Sequence, residues 1–157
     1  MLAAALTDDA RRLALRSDAL RALIPAPRLR LSEWIEREIV LPEGVSARPG
    51  RVRLYAYQTE IADAIGDPLI ERVTLLKSVR VGFTTLLTAS IASYVANDPA
   101  PILVLQPTEA DAKDFCVSDL DPTFEASAAV SGVLTAAKED GERTTLMHRR
   151  FPGGSLK

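Results

Sequence analysis

Apolar residues recur at helical spacing along the first third of the chain, which predicts a series of helices. The first covers about 2–23 and ends at Pro25-Ala-Pro27, because proline removes a backbone donor. A second helix is expected from Ser32, as its N-cap, through Ile39, and a third from Tyr57 to Ile65. The prolines and glycines of residues 42–50 predict a loop between these two helices.

The pattern changes at Arg72, where continuous apolar runs begin to alternate with helical segments. Residues 73–76 and 101–105 are short and continuously apolar, which is typical of strands in a buried parallel sheet. Residues 85–96 are apolar nearly all round, which predicts a buried helix, and a further helix is expected over 109–120. This order of strand, loop, helix, strand and helix predicts an α/β fold with a three-layer parallel sheet.

The last part of the chain favours a hairpin. Residues 133–137 and 144–151 are expected to pair around Glu139-Asp140-Gly141-Glu142. Gly153-Gly154 predicts a further turn, after which a new strand is expected to begin at Lys157.

Composition places the chain among ordinary globular proteins. Its 157 residues suffice for one domain, and 47% of them are hydrophobic and 25% charged. The net charge of −2 excludes a global basic field for nucleic acid. Arginine gives residues 8–53 a mild basic bias, which a solvated helix face explains as well as DNA contact does. With aromatic residues at 5%, a stacking platform for single-stranded nucleic acid is not expected.

Cysteine use and the length of the apolar runs bear on localisation. Cys116 is the single cysteine, so no internal disulfide is possible and a reducing, cytoplasmic setting is expected. No stretch reaches the roughly 18–20 apolar residues of a membrane span. Asp8 and Asp9 follow the apolar start, whereas a signal peptide carries positive charge before its apolar run. We therefore expect no membrane partner and no export.

The segment between the first predicted strand and the buried helix has the setting of a phosphate-binding loop. It reads Lys77-Ser78-Val79-Arg80-Val81-Gly82-Phe83-Thr84. Gly82 allows a close backbone approach to an anion, and Thr84 stands where such loops place the hydroxyl that reaches Mg²⁺. Lys77 holds the first glycine position of the usual G-x-x-x-x-G-K-[ST] pattern, and Phe83 holds its lysine position. A strand–glycine–helix turn without any nucleotide is the alternative.

Two neighbouring groups favour the functional interpretation. Tyr57 and Gln58 lie upstream on their own helix, and a glutamine can read an adenine edge with its donor and acceptor together. Gln106-Pro107-Thr108 follows the second predicted strand at its carboxyl end, where open α/β sheets collect their ligands.

The order and spacing of these segments resemble a known family. Leu31-Ser-Glu-Trp34, Tyr57-Gln58, residues 73–84 and residues 101–108 are similar to the N-terminal ATPase part of the large terminase subunit of tailed phages, lambda type (the GpA family). Glu109-Ala-Asp-Ala112 and Phe151-Pro-Gly-Gly154 also fit, so the resemblance covers about residues 27–157.

This resemblance implies a RecA-like P-loop NTPase fold with an N-terminal helical lead-in. It also implies a role in the ATP-driven motor that packages double-stranded DNA into procapsids, through the portal and with a terminase small subunit. In that family a C-terminal nuclease then cuts the DNA, which makes the intact protein both ATPase and endonuclease. The setting would be the cytoplasm of the bacterial host.

Residue roles follow from the same resemblance. Lys77 would contact the phosphates of ATP, and the loop amides up to Gly82 would cradle them. Thr84 would hold Mg²⁺, and Gln58 would read adenine beside Tyr57. Phe83 departs from family members with a second lysine there, which leaves Lys77 as the only loop lysine, with Arg80 either adding charge or lying free on the surface.

The resemblance also divides the chain and suggests what it lacks. Residues 1–53 would be a helical N-terminal segment and linker, and residues 54–157 the N-terminal part of the ATPase domain, truncated before the acidic metal-site motif. Such a chain alone is expected to be inactive. Two alternatives stay open: a non-catalytic truncated remnant that acts only by partner binding, and another P-loop ATPase such as a helicase lobe. An apolar stripe in the first helix is expected either to dock the small subunit or to pack on the core; its members are Leu13, Leu20, Leu23 and Ile24.

Other residues that could carry chemistry are interpreted as structural. His148 is expected to be a structural strand residue and Cys116 a small core residue. Asp119 and Asp121 beside Pro122 are interpreted as ordinary residues of a helix end. Arg149-Arg150 is expected to be a solvated strand end rather than a DNA contact, and Trp34 to pack the N-terminal helices onto the core.

Overall fold

The computed structural model describes residues 8–23, 29–139 and 145–157, which form helices and short antiparallel hairpins. β1 pairs with β2 through Val40 and Arg51, and β3 pairs with β4 through Arg149 and Leu156. The structure confirms a mixture of helices and strands, with small antiparallel sheets. In chain order the elements are α1 (Asp8–Ala22), α2 (Leu31–Glu38), β1 (Val40–Leu41), β2 (Gly50–Arg51), α3 (Ala56–Gly66), α4 (Phe83–Ala96), α5 (Glu109–Phe115), a π-helix (Cys116–Leu120), α6 (Asp121–Ala126), α7 (Ala128–Glu139), β3 (Arg149–Phe151) and β4 (Gly154–Leu156).

Helix α4 lies at the centre of the core, in contact with α2, α3, α6, α7 and the π-helix. It buries residues on almost every side, among them Ala89, Ala92 and Val95, as its continuously apolar sequence predicts. The small side chains of Ala89 and Ala92 let neighbouring helices approach closely. Trp34 of α2 is 3% exposed and belongs to the same apolar cluster, so α2 packs on this core as expected.

The start of α2 differs from the prediction by two residues. The helix begins at Leu31 with Arg30 as its N-cap, so the assignment of Ser32 as N-cap is wrong. Ser32 instead lies in the first turn, where its backbone N–H donates to Oδ1 of Asp63 on α3 at 3.2 Å. A partner from another helix thus satisfies a donor that a local cap would otherwise serve.

The described residues do not form the expected parallel sheet, and a single isolated parallel bridge lies where it was expected. Residues 101–105 are extended, and Ile102 forms a parallel bridge with Leu156. The Ile102 N–H donates to the Ser155 carbonyl oxygen at 2.7 Å, and the Lys157 N–H donates to the Ile102 carbonyl oxygen at 3.0 Å. The predicted strand over 73–76 is absent from the described structure, where these residues have no regular secondary structure and no ladder partner, and Leu76 is fully exposed. A run of this composition is buried only when strands and helices flank it.

The predicted hairpin between residues 133–137 and 144–151 is wrong, because the first of these segments is helical. Val130 and Ala137 are buried in α7, and Val133 and Leu134 pack against the core. These four positions recur at helical spacing, and that period outweighs the β-propensity of the valines. The observed hairpin joins β3 to β4. Residues 140–144, which include most of the predicted turn, lie outside the described residues.

A π-helical turn joins α5 to α6. The Asp121 N–H donates to the carbonyl oxygen of Cys116, five residues earlier, and the helical path then continues through Pro122. In an unbroken α-helix the ring of Pro122 would clash with the carbonyl group of Ser118, and that carbonyl would have no backbone N–H to accept from. The wider turn accommodates the proline, so the expected helix over 109–120 extends to Ala126.

The turn between β3 and β4 packs directly on the segment that follows α4. Gly153 has φ of +89°, and a Cβ there would lie 2.7 Å from Cβ of Pro99. A Cβ on Gly154 would lie 2.6 Å from the carbonyl oxygen of Ala100. The two glycines therefore serve close packing beside the parallel bridge at Ile102.

Helix α1 exposes its leucines. Leu13 and Leu20 are 68% and 56% exposed, and Leu23, just beyond the helix, is 76% exposed. Residues 1–7 and 24–28, which include Ile24 and the predicted Pro25-Ala-Pro27 linker, lie outside the described residues. No helix in the described ranges is long and apolar enough to cross a membrane.

Candidate functional site

The predicted phosphate-binding loop follows residues 71–76, which have no regular secondary structure, and leads into the N-terminus of α4. Helix α4 begins at Phe83, with Gly82 as N-cap and no side-chain cap hydrogen bond. Lys77, Arg80 and Thr84 are exposed, as are Ser78, Val79 and Gly82, whereas Val81 and Phe83 are half-buried. The loop therefore presents a positively charged side chain, a hydroxyl and an uncapped helix N-terminus to solvent.

The loop backbone adopts the left-handed conformation twice within three residues. Arg80 has φ of +61°, which is uncommon for a residue with a side chain, and Gly82 has φ of +75°. Within the described structure, the backbone N–H groups of Gly82, Phe83 and Thr84 donate to no protein acceptor. Left-handed residues in a turn direct successive N–H groups into a concavity that suits an anion.

Lys77 and Thr84 line one recess with Phe83. The recess has a volume of about 250 Å³, and Ile65, Leu75, Leu86 and Leu87 complete its wall. Nζ of Lys77 lies 6.0 Å from the centroid of the Phe83 ring, within the range of a cation–π contact. The aromatic ring at the usual lysine position thus contacts the one lysine of the loop.

Tyr57 and Gln58 of α3 contact the loop through its carbonyl groups. The Tyr57 hydroxyl donates to the Val81 carbonyl oxygen at 3.0 Å. Nε2 of Gln58 donates to the same oxygen at 3.2 Å and lies 3.5 Å from the Gly82 carbonyl oxygen. Oε1 of Gln58 accepts from the Tyr55 N–H at 3.0 Å, and the side chain is buried. We refer to Tyr57 and Gln58 as the loop clamp; the sequence identified both residues but not these contacts.

The other ligand-binding candidates are Gln106 and Thr108. Thr108 caps α5, since its Oγ1 accepts from the Asp111 N–H at 3.1 Å and donates to the Asp111 carboxylate at 2.7 Å. Gln106 is half-buried at the end of the extended 101–105 segment. In the described ranges, no hydrogen bond or ion pair joins Gln106 or Thr108 to residues 77–84.

The expectation that Arg149 is a solvated strand end is wrong. Its side chain is buried and forms an ion pair with Asp121 at the start of α6, and it donates to the Leu146 carbonyl oxygen at 3.3 Å. Asp121 is therefore a structural partner of Arg149. A lone Arg-Arg pair in a short strand gives no sequence signal for this contact, because Asp121 is distant along the chain.

Other titratable residues that the structure describes have structural surroundings. Cys116 is half-buried against the core, and burial raises the pKa of its thiol. Burial, with a smaller effect of the nearby Asp114, raises the pKa of the Asp119 carboxyl. His148 is half-buried, and its backbone pairs with Thr145. Among the described residues no group of three His, Cys, Asp or Glu side chains could hold a metal ion.

Comparison with known proteins gives consistent matches. Residues 46–157 match the family model of the phage terminase large subunit gpA, ATPase domain. The chain is 31% identical over 141 residues to the terminase large subunit of Enterobacteria phage P21, and 29% identical over 139 residues to that of Escherichia phage lambda. These alignments cover 90% and 86% of this chain but only 22% and 21% of the relatives, so it spans about a fifth of their length. No solved structure matches the chain.

Proposed function

The chain belongs to the phage terminase large subunit gpA family, and we propose that it binds ATP through residues 77–84. The single observation that carries this proposal is the loop at the N-terminus of α4. It combines unpartnered N–H groups with the exposed side chains of Lys77 and Thr84. The helix dipole and the ammonium both favour a bound polyphosphate.

Four residues of the loop have roles in this proposal. Lys77 contacts the phosphate oxygens, and the N–H groups of Gly82, Phe83 and Thr84 cradle them. The Thr84 hydroxyl fits a magnesium ligand, because it is exposed and makes no side-chain hydrogen bond within the described residues. Mg²⁺ is bound through few protein oxygens together with substrate phosphates and water, and it would neutralise phosphate charge there.

A complete RecA-like parallel sheet is part of the same proposal. The parallel bridge between Ile102 and Leu156 supports it, and so does the alternation along 102–105, where Leu103 and Leu105 are exposed while Ile102 and Val104 pack on the core. Residues 73–76 would be the strand that leads into the loop. The proposed domain runs over 54–157, with 1–53 as its lead-in, although α2 already shares the core with α4.

The wider role proposed for this chain is that of the ATP-binding part of a DNA-packaging motor in the bacterial host cytoplasm. Its partners would be double-stranded DNA, the terminase small subunit and the portal of the procapsid. The exposed leucines of α1 support a docking role for that helix. The helicase-lobe alternative has no comparable support, because both relatives are terminase large subunits.

Calorimetric titration with Mg–ATP tests the proposal. Lys77→Ala removes the ammonium of the loop and should weaken binding by about 1.5–3 kcal/mol, or roughly 10- to 150-fold. Lys157→Ala is the matched control, because Lys157 is also exposed and bonds through its backbone. Equal affinities of the wild type and Lys77→Ala would remove the assignment. A wild type that binds no ATP would favour the remnant that acts only by partner binding.

A further inference from the structure

We propose that Tyr57 and Gln58 are positioning residues that hold the loop ready for phosphate, rather than reading the adenine base. This inference rests on the proposed binding of ATP phosphates by residues 77–84. On this proposal, the loop clamp raises the binding affinity for the phosphate groups of the ligand, and the effect does not depend on which base the ligand carries.

The planar geometry of the peptide group is the first argument. The peptide bonds of the described chain are trans, so each carbonyl oxygen and the next N–H point to opposite sides. The loop clamp holds the Val81 carbonyl toward α3 with two hydrogen bonds. The Gly82 N–H is thereby turned away from α3.

The next peptide group is fixed in the same way. The Gly82 carbonyl oxygen accepts from the Leu86 N–H at 3.1 Å, as the first bond of α4, and lies 3.5 Å from Nε2 of Gln58. The Phe83 N–H, on the opposite side of the same peptide group, therefore faces away from these two donors. Two adjacent donors are fixed before any anion arrives, which lowers the ordering cost of binding.

The hydrogen-bonding capacity of Gln58 is the second argument. A carboxamide has two N–H donors and one acceptor oxygen. The donors face the carbonyls of Val81 and Gly82, and the oxygen already accepts from the Tyr55 N–H. Reading an adenine edge requires one donor and one acceptor at once, so Gln58 would have to release a loop carbonyl to do it. The burial of its side chain further limits access to a base.

Tyr57 supports the same role from the surface. Its ring stacks on that of Tyr55, with centroids 5.8 Å apart and planes 3° from parallel. The stack fixes the ring direction that places the hydroxyl on the Val81 carbonyl. Tyr57→Phe keeps the stack and removes the hydrogen bond, and Tyr55→Phe is its matched control, because the structure gives the Tyr55 hydroxyl no acceptor among the described residues.

The test compares Mg–ATP with Mg–tripolyphosphate, which has the phosphates but neither base nor ribose, by calorimetry on the full chain. Tyr57→Phe should weaken both ligands by the same factor, roughly two- to tenfold, the scale of one hydrogen bond. Gln58→Met, which is also uncharged, should do the same, and Tyr55→Phe should change neither. Thermal midpoints of all variants are measured in parallel, and Tyr57→Phe keeps the test decisive if Gln58→Met fails to fold.

The outcomes separate the two levels of the proposal. If both variants weaken ATP but leave tripolyphosphate unchanged, Tyr57 and Gln58 read the base and the positioning role is wrong. Unchanged affinity for both ligands in the two folded variants also overturns it, while ATP binding by the wild type still stands. If the wild type binds neither ligand, or if Lys77→Ala leaves tripolyphosphate binding unchanged, the proposed function itself fails.

Discussion

Replacing Gly82 by alanine should destabilise the protein, because the loop uses a conformation that a side chain resists. Gly82 has φ of +75°, and an alanine Cβ would lie 2.6 Å from Nε2 of Gln58. The left-handed conformation costs a residue with a Cβ about 1–2 kcal/mol. Displacing the Gln58 amide breaks its hydrogen bond to the Val81 carbonyl, which costs about 0.5–1.5 kcal/mol. Alanine also lowers the conformational entropy of the unfolded chain, which offsets about 0.4–1 kcal/mol of this loss. The net expectation is a loss of about 2 kcal/mol.

Gly132 of α7 provides the matched control for this substitution. No atom lies within 4 Å of a Cβ placed there, and its φ is not positive. Gly132→Ala should therefore stabilise the protein by about 0.5–1 kcal/mol, the helix propensity difference. Urea denaturation followed by far-UV circular dichroism measures both variants. If Gly82→Ala is as stable as the wild type while Gly132→Ala gains stability, the left-handed turn and its packing on Gln58 are not features of the folded protein.

Three further expectations concern stability away from the loop. Thr88→Val should stabilise the protein by about 1 kcal/mol in urea denaturation, because the buried Thr88 hydroxyl has no hydrogen-bond partner within the described structure. A loss of stability in this variant would show that the hydroxyl does have a partner. Asp121→Ala should lower the free energy of unfolding by about 2 kcal/mol, because it leaves the buried Arg149 guanidinium without its carboxylate partner. Adding Arg149→Met should restore part of that stability. If the double variant is no more stable than Asp121→Ala, an unpaired buried charge is not the cause of the loss. Changing Leu13 and Leu20 together to Asp should leave the thermal midpoint nearly unchanged, because both are exposed, and a fall of many degrees would show that α1 packs on the core.

The helices that carry their own boundary signals were predictable from sequence. α3 runs over Ala56–Gly66 and α4 over Phe83–Ala96, each close to the expected range. α7 was missed because short apolar runs such as 133–137 fit a strand as well as a helix until their packing partners are known. Residues 73–76 illustrate the reverse case, since a strand needs neighbours that the local sequence does not specify.

The candidate loop was predictable in position but not in conformation. The sequence marks Gly82 as a flexible point, but it gives no sign that Arg80 also adopts φ of +61°. Tyr57 and Gln58 stood out as possible base readers, yet their contacts with Val81 and Gly82 depend on how α3 packs beside the loop. Long-range contacts of this kind, like that of Arg149 with Asp121, are set by tertiary packing.

The π-helical turn changes how this stretch of sequence aligns with others. Phe115, Leu120 and Phe124 are all buried, although the first interval is five residues and the second four. At about 100° of rotation per residue, one extra residue is absorbed inside the helix without moving either flanking face off the core. A relative that lacks one residue within 116–120 would therefore have an ordinary helix in phase with this one. A one-residue gap in the alignment with such a relative would mark the loss of the π-helical turn, while both flanking helices keep their places on the core.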